Sequence, residues 1–149
     1  MTRTNAREIV LQLVYEMNFR EDDALSVAKA HMEPEYFETL KTESDAYADA
    51  PDPKQSVYIE NTLCGIEQKR TELEEYIRKY SVGWDIGRIS KTVLAIMLLA
   101  MYEALYVDDV PVSSAINEAV ELTRKYEDES AVAFVNGILG SFAREVVKA

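Results

Sequence analysis

The sequence predicts an all-α protein, and three observations carry that. Glycine and proline are scarce, five and four in 149 residues, which is too little turn punctuation for many short strands. Apolar residues recur three and four positions apart through most of the chain, the period of a helix with one buried face. Hydrophobic residues make up 48%, enough for a packed core and too many for a disordered chain. A chain of this length supports one domain, taken here as residues 1–149 and built of about seven helices.

The elements follow in order. Residues 5–19 place Ala6, Ile9, Val10, Leu13, Val14 and Met17 at helical spacing. Glu21, Asp22 and Asp23 precede a second helix over 24–32, where acids complement the positive end of the helix dipole. Pro34 opens a short third helix carrying Tyr36, Phe37 and Leu40. Residues 42–53 are polar and acidic with Pro51 and Pro53, the best candidate for a mobile loop. Residues 54–80 read as one long helix, with Gly65 marking a bend or a close helix contact. Residues 81–87 form a turn. Residues 88–106 are apolar nearly all round, as expected of a central buried helix. Pro111 suits the first turn of the next helix, which runs to about Tyr126. Ser130 is the expected N-cap of the last helix, ending near Val147. Gly137 and Gly140 inside it imply tight approach of a neighbouring helix to offset about 1 kcal/mol each in helix propensity.

Composition narrows the function. No apolar run approaches ~18 residues, the length of a membrane span, and residues 1–16 lack a signal peptide's apolar block. Cys64 is the only cysteine, so no intrachain disulfide forms and a cytoplasmic setting is expected. Net charge is −11, and between Glu33 and Asp52 seven acids face Lys41 alone. That balance disfavours non-specific nucleic-acid binding by the whole surface and favours a basic protein partner.

The chemistry of catalysis is absent from the pattern. His31 is the only histidine and is expected at the surface or as a cap. No cysteine–histidine cluster has metal-ligand spacing, and no glycine-rich phosphate loop or dinucleotide fingerprint occurs. Cys64 sits in an apolar helical stripe and is expected to be buried and inert. Carboxylate pairs such as Glu74-Glu75 belong to solvated faces in so acidic a chain. No enzyme, cofactor or metal is therefore expected.

Two blocks near the C-terminus carry polar residues within apolar helical stripes. They are Ala115-Ile116-Asn117-Glu118-Ala119 and Phe134-Val135-Asn136-Gly137. Asn117, Glu118 and Asn136 are costly in a core unless hydrogen-bonded. They are expected to fix how the last two helices pack. With Tyr102-Glu103 ahead of Pro111, with Trp84 and the 88–102 stretch, and with Arg3, Ala6-Arg7, Gln12 and Tyr15 in the first helix, these blocks resemble the NusB family of transcription antitermination factors.

That resemblance covers nearly the whole chain. It implies an all-α fold of two packed helical subdomains and a non-enzymatic RNA-binding adapter. NusB-like proteins pair with the ribosomal protein NusE, bind boxA RNA in nascent ribosomal transcripts, and join other Nus factors on RNA polymerase. Residue by residue, Arg3 and Arg7 match the family's N-terminal RNA-contacting arginines; the alternative is a solvated helix start. Tyr126 matches an aromatic at the end of the Asn-Glu-Ala helix that stacks on an unpaired base, or else is a helix-end core aromatic. Lys125 and Ser130 flank it and reach phosphates. Tyr15 falls in the region that meets NusE, and equally fits a core position.

Departures from the family pattern are also legible. Val93 and Leu98 stand where the family often has an acid and an arginine on the NusE-facing side, so that contact has become apolar. Glu127 replaces a common glycine, and Asp128-Glu129 adds negative charge beside the expected RNA surface. Weak RNA binding by the isolated chain follows, with a basic partner supplying phosphate attraction. Two other readings stay open. One is a protein-only interaction module that has lost RNA binding. The other is a ribosomal RNA methyltransferase, since NusB-like domains occur fused to such enzymes; it needs a cofactor-binding glycine loop that these residues lack.

Overall fold

A computed structural model describes residues 1–147, and among them there are eight α-helices and no strand. The chain divides into two compact units, Met1–Glu67 and the part from Gln68 onward.

In the first unit, α1 spans Arg3–Met17. Thr2 caps it by accepting the Asn5 amide at 3.1 Å. Ala6, Ile9, Val10, Leu13 and Val14 are fully buried along its core face. Helix α2 (Ala24–His31) is capped by Asp23, whose carboxylate accepts both the amide and the hydroxyl of Ser26 at 2.9 Å. Those bonds hold the Asp23 carboxyl below its ordinary pKa, the backbone bond foremost. Helix α3 (Pro34–Thr39) starts on proline, as expected.

The acidic stretch 42–53 is not a free loop. It contains a 3₁₀ turn, Asp45–Tyr47, and Ala46 and Tyr47 are buried. The Tyr47 hydroxyl donates to the Gln12 side chain on α1. A hydroxyl has one proton to give, so its oxygen accepts from His31 Nε2 at 2.8 Å. Phe37 meets the Tyr47 ring edge-on at 5.3 Å. An aromatic anchor thus outweighs the local polarity that marks the segment as a loop.

The long helix expected over 54–80 is two helices, α4 (Pro53–Gln68) and α5 (Arg70–Tyr80). The break falls at Lys69, whose φ of −99° and ψ of 8° leave the helical region. Gly65 lies a turn earlier, and neither Pro nor Gly marks the break itself.

In the second unit, α6 (Lys91–Tyr106) is the central element and touches α5, α7 and α8. Residues Val93 to Met101 are buried without interruption, matching a sequence apolar on every side. Ser90 caps it through the Val93 amide at 3.1 Å. Helix α7 is Val112–Tyr126, with Pro111 at its N-cap. Helix α8 is Glu129–Phe142, followed by a π-helical turn, Ala143–Val147. Its cap is Asp128 rather than Ser130. Asp128 Oδ1 accepts the Ala131 amide at 2.9 Å, and the Ser130 hydroxyl donates to the same oxygen at 2.7 Å. Asp and Ser cap equally well, so the choice rests with the residue that follows the end of α7 most closely.

Glu129–Val147 has the length and composition of a membrane-crossing helix. Within this fold its apolar stripe, Val132, Val135, Ile138, Leu139 and Phe142, is buried, and α8 packs on α5, α6 and α7.

The embedded polar residues of the two C-terminal blocks do not lie in the core. Asn117 and Asn136 are exposed and Glu118 is half-buried. The buried positions of α7 are Ala115, Ala119, Leu122 and Thr123. Asn117 follows Ala115 by two residues, about 200° around the helix axis. Gly137 is also exposed, and a Cβ there would meet nothing within 4 Å. A Cβ at Gly140 would meet only the tip of Arg144, at 3.3 Å. The expected tight helix contact is absent at both glycines.

Candidate nucleic-acid interface

The second unit carries a cleft of about 300 Å³ between the 81–90 segment, the start of α6 and the α7–α8 junction. Its outer wall is made by the turn after α5. Gly83 has φ of +84°, a conformation glycine adopts without strain. Asp85 closes the next turn by accepting the Gly87 amide at 3.0 Å. The result presents Trp84, the chain's single tryptophan, at 56% exposure. Its indole meets Phe134 of α8 in an edge-to-face contact, ring centres 5.4 Å apart. Ile89 and Val93, both nearly buried, complete the apolar part of the lining.

The polar rim is asymmetric. Glu127 reaches across to Ser90, whose hydroxyl donates to Oε1 at 3.2 Å. Asp128 is engaged by its capping bonds, which lower its carboxyl pKa, the Ser130 hydroxyl foremost and the Ala131 amide next. Arg88 lines the cleft and is exposed; its backbone amide donates to the Asp85 carbonyl at 2.9 Å, while its guanidinium makes no ion pair or hydrogen bond with any described residue. Arg124, by contrast, is committed to Glu121 at 2.6 Å and stands 3.8 Å from Glu129.

The sequence-derived site residues fall as follows. Ser130 and Val93 line the cleft. Lys125 and Tyr126 lie at the end of α7, exposed, with the Lys125 ammonium 5.8 Å from the Tyr126 ring centre. At 40% exposure Tyr126 is not a core aromatic. Leu98 is fully buried, which corrects its expected place in a partner surface: it is a packing residue of α6.

Arg3 and Arg7 belong to the first unit. Arg3 Nε donates to Gln55 Oε1 at 2.9 Å, and its guanidinium lies 4.0 Å from the centre of the Tyr58 ring. Arg7 is buried, with 5% exposure, and has partners of its own. Neither is a solvated helix start. Tyr15 is 42% exposed and Phe19 63%, their rings 5.4 Å apart at the end of α1, so Tyr15 is a surface residue. His31 is not a surface cap; burial pushes its imidazole pKa down. Cys64 is half-buried, and burial raises its thiol pKa. Sequence reasoning passed over Trp84, Arg88 and Phe134 as site residues. A lone tryptophan in a glycine-flanked turn, followed by arginine, is the signal that marks them.

The architecture is that of a small all-α protein whose described surface carries an aromatic cleft with a mixed-charge rim. Among the described residues no cluster of metal-ligating side chains occurs. The model of the NusB family matches residues 4–144, and the chain belongs to that family. It is 36% identical over 146 residues to the transcription antitermination protein NusB of Clostridium perfringens, covering 98% of this chain and 99% of the relative. It is 35% identical over 149 residues to NusB of Natranaerobius thermophilus, covering 100% and 99%. Among solved structures, T. maritima NusB superposes with a TM-score of 0.80 at 25% identity, covering 97% and 92%. A crystal structure of antitermination factors NusB and NusE with double-stranded RNA shares the fold, at a TM-score of 0.74 and 18% identity, covering 95% and 96%.

Proposed function

We propose that this chain is a transcription antitermination adapter that binds boxA-type RNA of nascent ribosomal transcripts together with NusE, and works with other Nus factors on RNA polymerase. The observation that carries this is membership of the NusB family over residues 4–144. The geometry supports it through the exposed aromatic cleft, with Lys125, Tyr126 and Ser130 beside it. Aromatic surfaces that stack unpaired bases are the usual means of single-stranded RNA recognition. The two units act as one functional domain, in the cytoplasm, without catalysis, and need no cofactor. Tyr15, with Phe19 beside it, is the NusE-facing surface, and Val93 contributes only where the cleft exposes it.

Arg3 contributes to RNA binding through whatever part of its guanidinium the Gln55 and Tyr58 contacts leave open. Arg7 acts by shaping that helix start. A net charge of −11 leaves little general attraction for phosphate, so most of it comes from the basic partner. Titration of a boxA oligonucleotide with the chain alone and with the chain plus NusE tests this. Tighter, salt-sensitive binding in the presence of NusE is expected. Equal affinity for a scrambled RNA would remove the sequence-specific reading.

A second reading is a protein-only interaction module. It is favoured by the commitment of Arg3 and Arg7 inside the fold and by the acidic run Glu127-Asp128-Glu129. Under that reading NusE binds and RNA does not.

A further inference from the structure

The acidic side of the cleft's rim is unsuited to a phosphate and suited to a base. Glu127 and Asp128 repel anions, while the Trp84 and Phe134 rings offer flat apolar surfaces. A volume of about 300 Å³ stands at the small end of ligand pockets and admits one planar group rather than a folded segment. The two carboxylates are not equivalent. Asp128 spends Oδ1 on the α8 cap, accepting both Ala131 and Ser130. Among the described residues Glu127 accepts only the Ser90 hydroxyl, on Oε1. A carboxylate has about four acceptor sites, so Glu127 keeps Oε2 and part of Oε1 for a ligand. Being acceptor-only, it selects a partner that presents N–H donors side by side. Among the nucleobases, the Watson–Crick edge of guanine presents N1–H and N2–H₂ together. Adenine and cytosine each set an acceptor beside their amino group, and that acceptor would face the carboxylate. Arg88 lines the same cleft with its guanidinium paired to none of the described residues, a cation available for the phosphate of the inserted nucleotide.

We infer that the cleft is a base-reading pocket for one unpaired guanine. The base packs against Trp84 and Phe134, donates N1–H and N2–H₂ to Glu127, and leaves its phosphate to Arg88. This deepens the RNA-binding reading above and rests on it. The same arrangement gives the acidic junction a function: Glu127 weakens phosphate attraction and in exchange supplies selectivity for a donor edge.

Trp84 reports directly, because it is the chain's single tryptophan. The full chain with NusE is titrated with a single-stranded boxA RNA bearing one guanine, and with versions carrying inosine or adenine at that position. In parallel the chain alone is titrated with 5′-GMP and 5′-UMP. The expected result is quenching of Trp84 by the guanine RNA and by GMP, with affinity lower by roughly tenfold for adenine and less for inosine, which lacks only the 2-amino group. Glu127→Gln should flatten the ranking of the three bases. Trp84→Phe should retain it while removing the signal, with affinity then read by anisotropy of labelled RNA. RNA that binds with unchanged Trp84 emission, or with equal affinity for all three bases, would overturn the pocket and leave the adapter reading standing. Absence of RNA binding with NusE present would overturn the adapter reading. GMP quenching in that case would show that the pocket exists without it.

Discussion

The start of α1 and the Trp84 cleft each combine an arginine with aromatic side chains, yet they use the cation differently. Arg3 is held on the Tyr58 ring and on Gln55, and Arg7 is buried a turn later. Arg88 stands at the rim of an open cleft and pairs with no described residue. The first arrangement gives up most of a guanidinium's reach to fix a helix start. The second leaves the charge free to meet something from outside. Positive charge in a sequence is thus not by itself an interaction surface. What matters is whether the fold has already supplied the charge with neighbours.

The comparison breaks most visibly through stability. Deepest of the residues once expected at a surface is Leu98, and Leu98→Ala should cost about 2–5 kcal/mol in urea unfolding, with NusE affinity lost only in proportion to unfolding. A full-stability variant that fails to bind NusE would restore Leu98 to the interface. Arg7→Ala should cost about 1–3 kcal/mol, because its removal leaves buried polar groups without partners.

How much of this was legible in advance depends on the kind of signal. The central helix α6 was plain, because apolarity on every side has few other meanings. The acidic opening at Asp23 and the prolines at Pro34 and Pro111 follow from local chemistry, and α1 and α7 lie within two residues of their expected bounds; the Ser90 cap falls inside the helix expected from residue 88. The anchoring of Tyr47 was not legible, since its partners Gln12 and His31 lie 35 and 16 residues away. Nor was the break at Lys69, which no residue type announces. Asn117 and Asn136 lie on the exposed side of their helices, because apolar neighbours in sequence are not neighbours in space. A step of two residues carries a side chain to the far face of a helix. The cleft itself needs a turn, a helix start and a helix junction to meet; of its lining the sequence marks Ser130 and Val93 as site residues and Glu127 and Asp128 as acids beside the expected RNA surface, without bringing them together.

Two titrations sharpen the contrast between committed and open groups. His31 is held neutral by burial, with Glu16 opposing and Arg20 adding to the depression of its pKa. The unfolded chain therefore binds a proton at higher pH than the folded one. Stability is full above the ordinary histidine pKa and declines as pH falls from there toward the lowered folded value. Tyr47→Phe should reduce stability by about 1 kcal/mol through loss of the hydroxyl that links α1 to α2. Asp128 has the same sign in a more acidic window. Its folded pKa is depressed, so its contribution is present above the ordinary aspartate pKa and lost as pH falls through the lowered value. Asp128→Asn caps comparably and should remove that acid dependence in thermal unfolding while leaving α8 formed.

The smallest effect on the fold is the most informative about the surface. Arg88→Ala should change unfolding free energy by no more than about 0.5 kcal/mol, since no described residue depends on it. If Arg88 meets a phosphate, the same substitution lowers the salt dependence of RNA binding by about one phosphate contact, a change of roughly 0.7 in the slope of log affinity against log salt for a single strand. Arg3→Ala should do the reverse, lowering stability through the lost Gln55 and Tyr58 contacts and moving that slope by much less than Arg88→Ala does. Equal slopes for Arg88→Ala and the parent chain would show that the free cation at the cleft is not a phosphate ligand. A slope that moved instead for Arg3→Ala would mean that a guanidinium stacked on Tyr58 still reaches RNA, and that neighbours within the fold do not by themselves withdraw a charge from recognition.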